Sequence, residues 1–400
     1  MGEFDLIARY FKRPSQTIAP ALIGTPAVAL GIGDDCALLQ PRPGTQMAIS
    51  SDMLVEGRHF FPDVDPATLG HKALAVNLSD LAACGAKPLA FTLALALPRV
   101  DEPWLAAFSR GLFALADAHG CTLMGGDTTQ GPLNICITVF GEVPVVAGKS
   151  QALLRSGARP GDDLYVSGTL GDARLALEAL RGTVQLPAAV LARARQRLEQ
   201  PTPRVALGLA LRGIATAAID VSDGLLGDLG HILTASRCGA SIDTTAARPL
   251  LATYAQPESN PAARHSQVGL EFIEDFINCD SSDSVIASAA RQSMNPGLPR
   301  CARNDGAAAS ALGDCGSGVM NSATIYSPQQ KLAWVLAGGD DYELLFTAPA
   351  SARAAVLAAA RSSATPVTRI GRIESEPGLR LVDADGQAVN GAFASFDHFA

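Results

Sequence analysis

The sequence predicts an α/β protein with two domains. Its 400 residues, 48% apolar and 18% charged, have a globular composition and exceed the length that one hydrophobic core usually supports. Short apolar or β-branched runs alternate along the chain with longer segments of helical period. A stretch rich in Gly and Pro at about 144–160 indicates a connection between domains. We therefore predict an N-terminal domain at 1–148 and a C-terminal domain at 149–400.

The elements predicted in the first half follow local signals. Asp65 and Pro66 are typical of a helix N-cap and first turn, and the apolar pattern continues to Gly85. Asp101 begins a second helix, which ends near Gly120. Runs of apolar and β-branched residues predict strands at 27–33, 46–55, 88–98 and 134–143.

The second half repeats this alternation around one long exception. Helices are predicted at 172–180, 188–199, 225–237 and 349–362, and strands at 164–167, 217–220, 342–347, 368–373 and 379–382. Residues 256–328 mix Ser, Asn, Asp, Gly and Pro without a sustained period. Such a composition buries too little apolar area to offset chain entropy, so we predict an inserted, poorly ordered segment there.

Charge and composition exclude several classes of partner. The formal charge is −8 and the chain has no Lys/Arg run, which argues against nucleic-acid and anionic-membrane binding. The most apolar stretch, 89–98, is far shorter than the roughly 20 residues of a membrane span. The N-terminus lacks the pattern of a secretory signal, and the eight cysteines form no CxxC pair. We expect a cytoplasmic protein with reduced thiols.

Six short segments join small residues to carboxylates, and we interpret them as turns at the ends of elements, apart from one on a helix. Any one of them alone is typical of a solvated turn. Together they suit a metal-bridged polyphosphate, because glycine lets the backbone approach a ligand and magnesium prefers carboxylate and hydroxyl oxygens. The segments are Gly33-Asp34-Asp35, Ser50-Ser51-Asp52, Leu78-Ser79-Asp80, Gly125-Gly126-Asp127-Thr128, Asp220-Val221-Ser222-Asp223-Gly224 and Gly338-Gly339-Asp340-Asp341.

The common nucleotide and hydrolase motifs are absent. The sequence has no GxxxxGK[ST] loop, and Gly31-Ile32-Gly33 continues into two aspartates, which would repel a pyrophosphate without a metal. There is also no GxSxG or HExxH motif. These absences favour an enzyme that places metals where others place lysine. His59, after the second strand, is a candidate for substrate contact, and Arg155, in the connection, is a candidate for an ATP phosphate.

Several blocks, in order, resemble the thiamine-monophosphate kinase family over roughly 1–250 and 331–400. They are GIGDDCALL, AISSDMLVEGRHF, KALAVNLSDLAACGA, GGDTT, LRSGARPGD, AIDVSDGLLGDLGHI, GGDDYELLF and FDHF. The resemblance implies the fold of aminoimidazole ribonucleotide synthetase. In that fold the N-terminal mixed sheet pairs with a second subunit, so a homodimer is expected.

The resemblance also implies an activity and a set of site residues. The expected reaction is in-line transfer of a phosphoryl group from ATP, as co-substrate, to thiamine monophosphate, giving thiamine diphosphate with several Mg²⁺ ions. The implied metal ligands are Asp35, Ser50, Ser51, Asp52, Asp80, Asp127, Asp220 and Asp223. The implied ATP contacts are Gly126, Asp127, Arg155 and Ser222, and the implied substrate contacts are His59, Asp340 and Phe396. Asp35, Asp127 and Asp220 are the expected catalytic residues.

Three departures from the family pattern stand out. Ser51 replaces a common threonine and keeps the hydroxyl, whereas Asp340 replaces a usual glutamate and reaches about one methylene less far. The segment 256–328 stands where the family normally has a short connection. The alternatives are another ATP-using member of the fold, aminoimidazole ribonucleotide or selenophosphate synthetase, and a non-catalytic acidic metal-binding protein. Selenophosphate synthetase is disfavoured because no Cys lies in a glycine-rich N-terminal loop.

Overall fold

A computed structural model describes residues 2–13, 27–252 and 326–389, which belong to one compact unit. The predicted segment 256–328 lies outside the described residues except for 326–328, and Phe396 lies outside them as well. Because both halves of the chain pack into the same unit, the boundary between 1–148 and 149–400 stays a prediction. Within the described ranges, no helix is long and apolar enough to span a membrane.

The first half forms a five-stranded mixed sheet with two long helices on one face. Its helices are α1 (Glu3–Tyr10), α2 (Pro66–Ala83) and α3 (Glu102–Ala118). Its strands are β1 (Val28–Leu30), β2 (Leu38–Leu39), β3 (Thr45–Val55), β4 (Lys87–Leu97), β5 (Thr122–Gln130), β6 (Asn134–Val146) and β7 (Lys149–Ser150). The strand order is β3-β6-β4-β5, with β7 added to β6 and with β1 and β2 paired separately.

Helix α2 is the central element of the unit. The Asp65 side chain caps it by accepting hydrogen bonds from the backbone N–H groups of Ala67 and Thr68, as the Asp-Pro signal predicts. The helix is apolar around most of its circumference, which is typical of a buried helix. It packs against α3, the five-stranded sheet and elements of the second half. At Gly70 a Cβ would lie 2.1 Å from the Phe108 carbonyl oxygen, so only glycine permits the close crossing with α3.

The second half forms a six-stranded sheet in the order β13-β10-β12-β8-β11-β9. Its strands are β8 (Asp163–Ser167), β9 (Ala217–Val221), β10 (Gly239–Asp243), β11 (Glu343–Ala348), β12 (Val367–Glu374) and β13 (Gly378–Val382). Its helices are α4 (Asp172–Leu180), α5 (Ala188–Glu199), α6 (Val205–Ala210), α7 (Leu225–Ser236), α8 (Thr244–Ala247), α9 (Pro328–Ala337) and α10 (Arg353–Ser362), with short 3-10 helices at Arg248–Leu250 and Ala350–Ala352. Strands β8, β9 and β11 are buried throughout, so their carboxylates enter the interior.

Two of the six acidic segments are not turns, and this prediction was wrong. Ser50-Ser51-Asp52 lies in the middle of β3, paired residue by residue with β6. Gly125-Gly126-Asp127-Thr128 lies inside β5, paired with β4. Pairing with a neighbouring strand outweighs the turn preference of Gly and Asp at both places. Helix α9 begins at Pro328, the last residue of the predicted inserted segment, and the Ser327 side chain caps it.

Candidate active site

Three of the predicted aspartates come together where α2 meets both sheets, and we name Asp52, Asp80 and Asp220 the aspartate cluster. Asp220 is 6% exposed and accepts a hydrogen bond of 2.8 Å from the Ser79 hydroxyl. Asp80 accepts a hydrogen bond from the Ser50 hydroxyl. The backbone N–H of Asp52 donates to the Asn77 side chain at 3.2 Å. Strand β3, helix α2 and strand β9 each contribute one carboxylate.

Burial and mutual repulsion disfavour the ionised form of these carboxylates. Burial and then the charge of Asp80 raise the pKa of Asp52 to about 6. Burial, followed by the charge of Asp80, raises the pKa of Asp220 to about 8, although the Ser79 hydrogen bond opposes the shift. Burial also raises the pKa of Asp80, against the Ser50 hydrogen bond and the charge of Arg155. A bound cation would relieve this repulsion, so the cluster has the electrostatics of a cation site.

The turn after β9 is held in place by an aspartate that the sequence analysis missed. Asp228 on α7 is 2% exposed and accepts hydrogen bonds from the backbone N–H groups of Ser222, at 3.0 Å, and Asp223, at 3.1 Å. Burial is the main cause that raises the pKa of Asp228 to about 7. Its position in the first turn of α7 was the available signal, because a carboxylate there can accept from preceding backbone N–H groups.

A cavity of about 570 Å³ joins the aspartate cluster to the predicted substrate residues. Asp52, Asp80 and Asp220 line it together with the predicted residues His59, Ser222, Asp223 and Asp340. Basic side chains from both halves also line it, namely Arg58, Lys72, Arg174 and Arg181. Apolar and aromatic residues complete the wall, including Met53, Phe60, Phe61, Val64 and Tyr342. The cavity therefore offers a cation site beside a mixed apolar and basic pocket.

The two described substrate candidates are fixed by specific contacts. The His59 ring accepts a hydrogen bond at Nδ1 from the backbone N–H of Val55, at 3.0 Å. Asp340 is a non-glycine residue with a φ of +65°, and its N–H donates to the Ser222 carbonyl at 2.8 Å. Its Oδ1 accepts hydrogen bonds from Lys72 Nζ at 3.0 Å and from the Tyr342 hydroxyl at 3.2 Å.

Other predicted residues lie apart from this cavity. Asp35 and Asp127 are exposed, and neither is among the described residues that line it. The Ser51 hydroxyl contacts the Thr138 hydroxyl at 2.9 Å rather than a member of the cluster. Gly126 adopts a φ of +147°, and a Cβ there would lie 1.8 Å from the Leu93 carbonyl oxygen, so the position requires glycine. Arg155 is exposed, and its charge acts on Asp80.

The donor set fits magnesium better than a metal held by protein alone. Across 2–13, 27–252 and 326–389, no three His, Cys, Asp or Glu side chains form a ready metal site. Magnesium usually keeps several waters and binds one or two carboxylates together with substrate phosphates. Buried carboxylates that disfavour one another's ionisation, with serine hydroxyls beside them, suit such shared coordination.

The segment that carries Asp340 also places two further carboxylates in the interior. Asp341 is fully buried, and its two carboxylate oxygens accept hydrogen bonds from the Gly171 N–H at 3.1 and 2.9 Å. Glu343 is fully buried between Arg197 and Arg204, at 2.7 and 2.6 Å, and accepts from the Ser167 hydroxyl at 2.5 Å. Sequence reasoning named Asp341 only as part of the segment 338–341 and did not name Glu343. Acidic residues next to an apolar strand were the available signal for buried ion pairs.

Comparison with known proteins gives matches over both halves of the chain. Residues 33–143 match the family described as AIR synthase related protein, N-terminal domain, and residues 159–384 match its C-terminal domain. Thiamine-monophosphate kinase of Salmonella typhimurium is 42% identical over 401 residues, covering 100% of this chain and 98% of that protein. The crystal structure of thiamine-monophosphate kinase from Stenotrophomonas maltophilia is 39% identical, covers 91% of this chain and 92% of its own, and has a TM-score of 0.66. A structure of AaThiL complexed with AMPPCP and TMP shares the fold at 23% identity and a TM-score of 0.59, covering 90% of this chain and 89% of its own.

Proposed function

This chain belongs to the thiamine-monophosphate kinase family, and on that premise we propose that it transfers the terminal phosphoryl group of ATP directly to the phosphate of thiamine monophosphate. Family membership makes it a phosphotransferase. The observation that carries the finer proposal is the cavity that joins the aspartate cluster to His59 and Asp340. It is large enough for part of two substrates to meet beside three carboxylates.

The acceptor would bind in the part of the cavity lined by His59, Asp340 and the aromatic residues. Thiamine monophosphate carries a cationic thiazolium ring, which a carboxylate such as Asp340 attracts. Phe60 and Phe61 supply apolar surface for its rings. Arg58, Arg174 on α4 and Arg181 at the C-cap of that helix line the same cavity and suit an anionic phosphate. Phe396, outside the described residues, stays a predicted third contact.

The aspartate cluster and its neighbours would hold magnesium. We assign Asp52, Asp80 and Asp220 as its ligands, with Ser50 and Asp223 next to them, and Asp35, Ser51 and Asp127 as ligands gathered only when nucleotide is present. Bound magnesium supplies positive charge that lowers the repulsion between two anionic reactants. Gly126, Arg155 and Ser222 are proposed ATP contacts, because a glycine backbone, a guanidinium and a serine hydroxyl suit phosphate oxygens.

Direct in-line transfer requires little acid or base chemistry from the protein. The attacking phosphate oxygen is already anionic near neutral pH, so no strong general base is needed. The residues of the chain then act by binding and orienting the two phosphates and by excluding water from the cavity. Asp228 supports this role by fixing the backbone of Ser222 and Asp223.

A coupled assay tests the proposal. We expect purified protein with ATP, magnesium and thiamine monophosphate to form ADP and thiamine diphosphate in equal amounts. Formation of ADP without thiamine diphosphate, or of inorganic phosphate in its place, would contradict direct transfer. Cation binding without either product would favour the non-catalytic alternative. Asp35→Asn and Asp127→Asn should each remove most turnover and leave the melting temperature unchanged, because both side chains are exposed.

A homodimer built through the first sheet is the proposed assembly. Ile49 and Met53 on β3 are 61% and 53% exposed and alternate with Ser50 and Asp52, which face α2. Large apolar side chains exposed on a sheet face favour contact with another subunit. Sedimentation equilibrium of the wild type should give twice the chain mass, and the Ile49→Asp variant should contain more monomer than the wild type. A monomeric wild type at micromolar concentration would contradict this assembly.

A further inference from the structure

Lys72 is a buried cation at the junction of the two halves. It lies on α2, its side chain is 4% exposed, and its Nζ is 3.0 Å from Asp340 Oδ1 in the second half. The same nitrogen lies 3.5 Å from the His59 carbonyl oxygen. A lysine is rarely buried without a partner, because removing its charged ammonium from water is costly. Lys72 thus connects the segments that carry both described substrate candidates.

The contacts on Asp340 are unequal between its two oxygens. Oδ1 accepts from both Lys72 Nζ and the Tyr342 hydroxyl. In the described part of the chain, no side chain or backbone group donates a hydrogen bond to Oδ2. The Asp340 side chain remains 34% exposed and lines the cavity. One oxygen is therefore anchored, and the other is available to a ligand.

The backbone of Asp340 shows why an anchor is needed. Asp340 and Tyr342 both have positive φ, at +65° and +52°, a conformation that non-glycine residues adopt at a cost. The N–H of Tyr342 donates to the carbonyl of Val221 at the end of β9, and the N–H of Asp340 donates to that of Ser222 just after it, each at 2.8 Å. These bonds fix the backbone, but a side chain needs its own contact to hold one rotamer. Lys72 and the Tyr342 hydroxyl supply it.

Helix α2 relates this anchor to the aspartate cluster. Lys72 contacts Asp340, and Ser79, seven residues later on the same helix, contacts Asp220. Seven residues span about 10 Å along a helix axis. A rigid, buried helix thus sets the separation between the acceptor-binding carboxylate and the carboxylates that would hold the metal.

We propose that Lys72 is a positioning residue for the acceptor, which anchors Asp340 Oδ1 so that Oδ2 faces the cationic ring of thiamine monophosphate. The inference rests on the proposed function. Lys72 acts through Asp340 and touches neither ATP nor the reacting phosphates. Its loss should therefore weaken acceptor binding and leave nucleotide binding unchanged.

Steady-state kinetics of Lys72→Met in the full chain test this role. A hydrogen bond to a charged group contributes about 1.5–3 kcal/mol, so the KM for thiamine monophosphate should rise at least about tenfold. The KM for ATP should stay within about twofold of wild type, a difference of about 0.4 kcal/mol, because Lys72 acts through Asp340 and not on ATP. Lys149→Met, which changes an exposed lysine away from the cavity, is the matched control and should change neither constant. Equal increases in both KM values would overturn the proposal.

A double-mutant cycle with Asp340→Asn shows whether Lys72 works through Asp340. In the Asp340→Asn background, Lys72→Met should change the KM for thiamine monophosphate less than about twofold, because the partner carboxylate is already gone. An unchanged tenfold effect in that background would overturn the proposal. Tyr342→Phe removes only the other Oδ1 donor and should raise the same KM by about threefold, in line with a neutral donor. If Lys72→Met does not fold, this variant still tests whether anchoring of Oδ1 matters for acceptor binding, and an unchanged KM for thiamine monophosphate would overturn the proposal.

The wild-type measurement separates the two levels of inference. If wild type does not phosphorylate thiamine monophosphate, the proposed function fails. If wild type is active and Lys72→Met keeps the wild-type KM for thiamine monophosphate, the positioning role alone fails.

Discussion

The second sheet of this protein carries two kinds of buried carboxylate, which differ in whether cationic side chains lie beside them. Glu343 on β11 is fully buried and has two arginines within 2.7 Å, Arg197 and Arg204. Asp220 on the neighbouring strand β9 is 6% exposed, and its side-chain partner is the neutral Ser79 hydroxyl, with other carboxylates nearby. The fold compensates the first charge internally and leaves the second uncompensated.

The difference distinguishes a group that supports the fold from one that awaits a ligand. A buried ion pair that has both partners is costly to break from either side. A buried carboxylate beside like charges gains little from ionisation until a cation arrives. Substitutions in the two groups should therefore affect different properties, stability for Glu343 and activity for the aspartate cluster.

Removing the carboxylate of Glu343, which the two arginines compensate, should cause the largest loss of stability. Glu343→Gln leaves Arg197 and Arg204 without their carboxylate in a site where both are largely buried. Removing one partner of a buried pair costs about 3–5 kcal/mol, so the melting temperature should fall by on the order of 10 °C. The melting temperature is measured by thermal unfolding followed by circular dichroism. Glu376→Gln is the control and should leave the melting temperature unchanged, because the Glu376 side chain is 81% exposed in its ion pair with Arg380. An equal melting temperature for the two variants would contradict the comparison.

Breaking the uncompensated group should abolish activity without destabilising the protein. Asp220→Asn keeps the shape and an acceptor for the Ser79 hydroxyl, and it removes a charge that burial disfavours. Turnover should fall at least about hundredfold, the loss typical of removing one electrostatic contact to a transition state. The melting temperature should stay the same or rise. If the variant retains turnover, or melts well below wild type, Asp220 supports the fold as Glu343 does, and the comparison is wrong.

Magnesium should stabilise the wild type by a smaller amount. Any ligand that binds the folded state at tenfold its Kd adds about 1.4 kcal/mol, which is a few degrees in melting temperature. Asp52→Asn and Asp220→Asn should each reduce this shift, whereas Glu343→Gln should keep it on its lower baseline. Differential scanning fluorimetry with and without magnesium measures all four proteins. The same shift in all of them would mean that magnesium binds elsewhere.

Local patterns predicted much of the fold but not the contacts that build the site. The Asp65 cap and the bounds of α4 and α5 are confirmed. The short elements β10 and α6 were not predicted, because so few residues show too little periodicity.

Contacts between distant residues had no local signal. Lys72 and Asp340 are separated by 268 positions, and only the packing of α2 against both halves brings them together. The strand pairing of Gly125–Asp127 was missed for a related reason, since composition indicated a turn and β4 supplied the competing hydrogen bonds.

Asp163 extends the comparison to pH, with the smallest expected effect. It is 1% exposed, and hydrogen bonds from Arg353, together with Arg369, hold its pKa below the ordinary value despite burial. A lowered pKa in the folded state means that its contribution is present above about pH 4 and is lost as pH falls through the folded value.

Asp163→Asn should therefore lower the melting temperature at pH 7, and the difference from wild type should shrink on acidification below about pH 4. Both arginines are about half exposed, at 52% and 54%, so the decrease should be only a few degrees or less. Asp385→Asn, at an exposed position, is the control. Asp163→Asn and Asp220→Asn are the same chemical change at two buried sites. A loss of stability in the first and none in the second would show that paired arginines, not burial, separate the two groups.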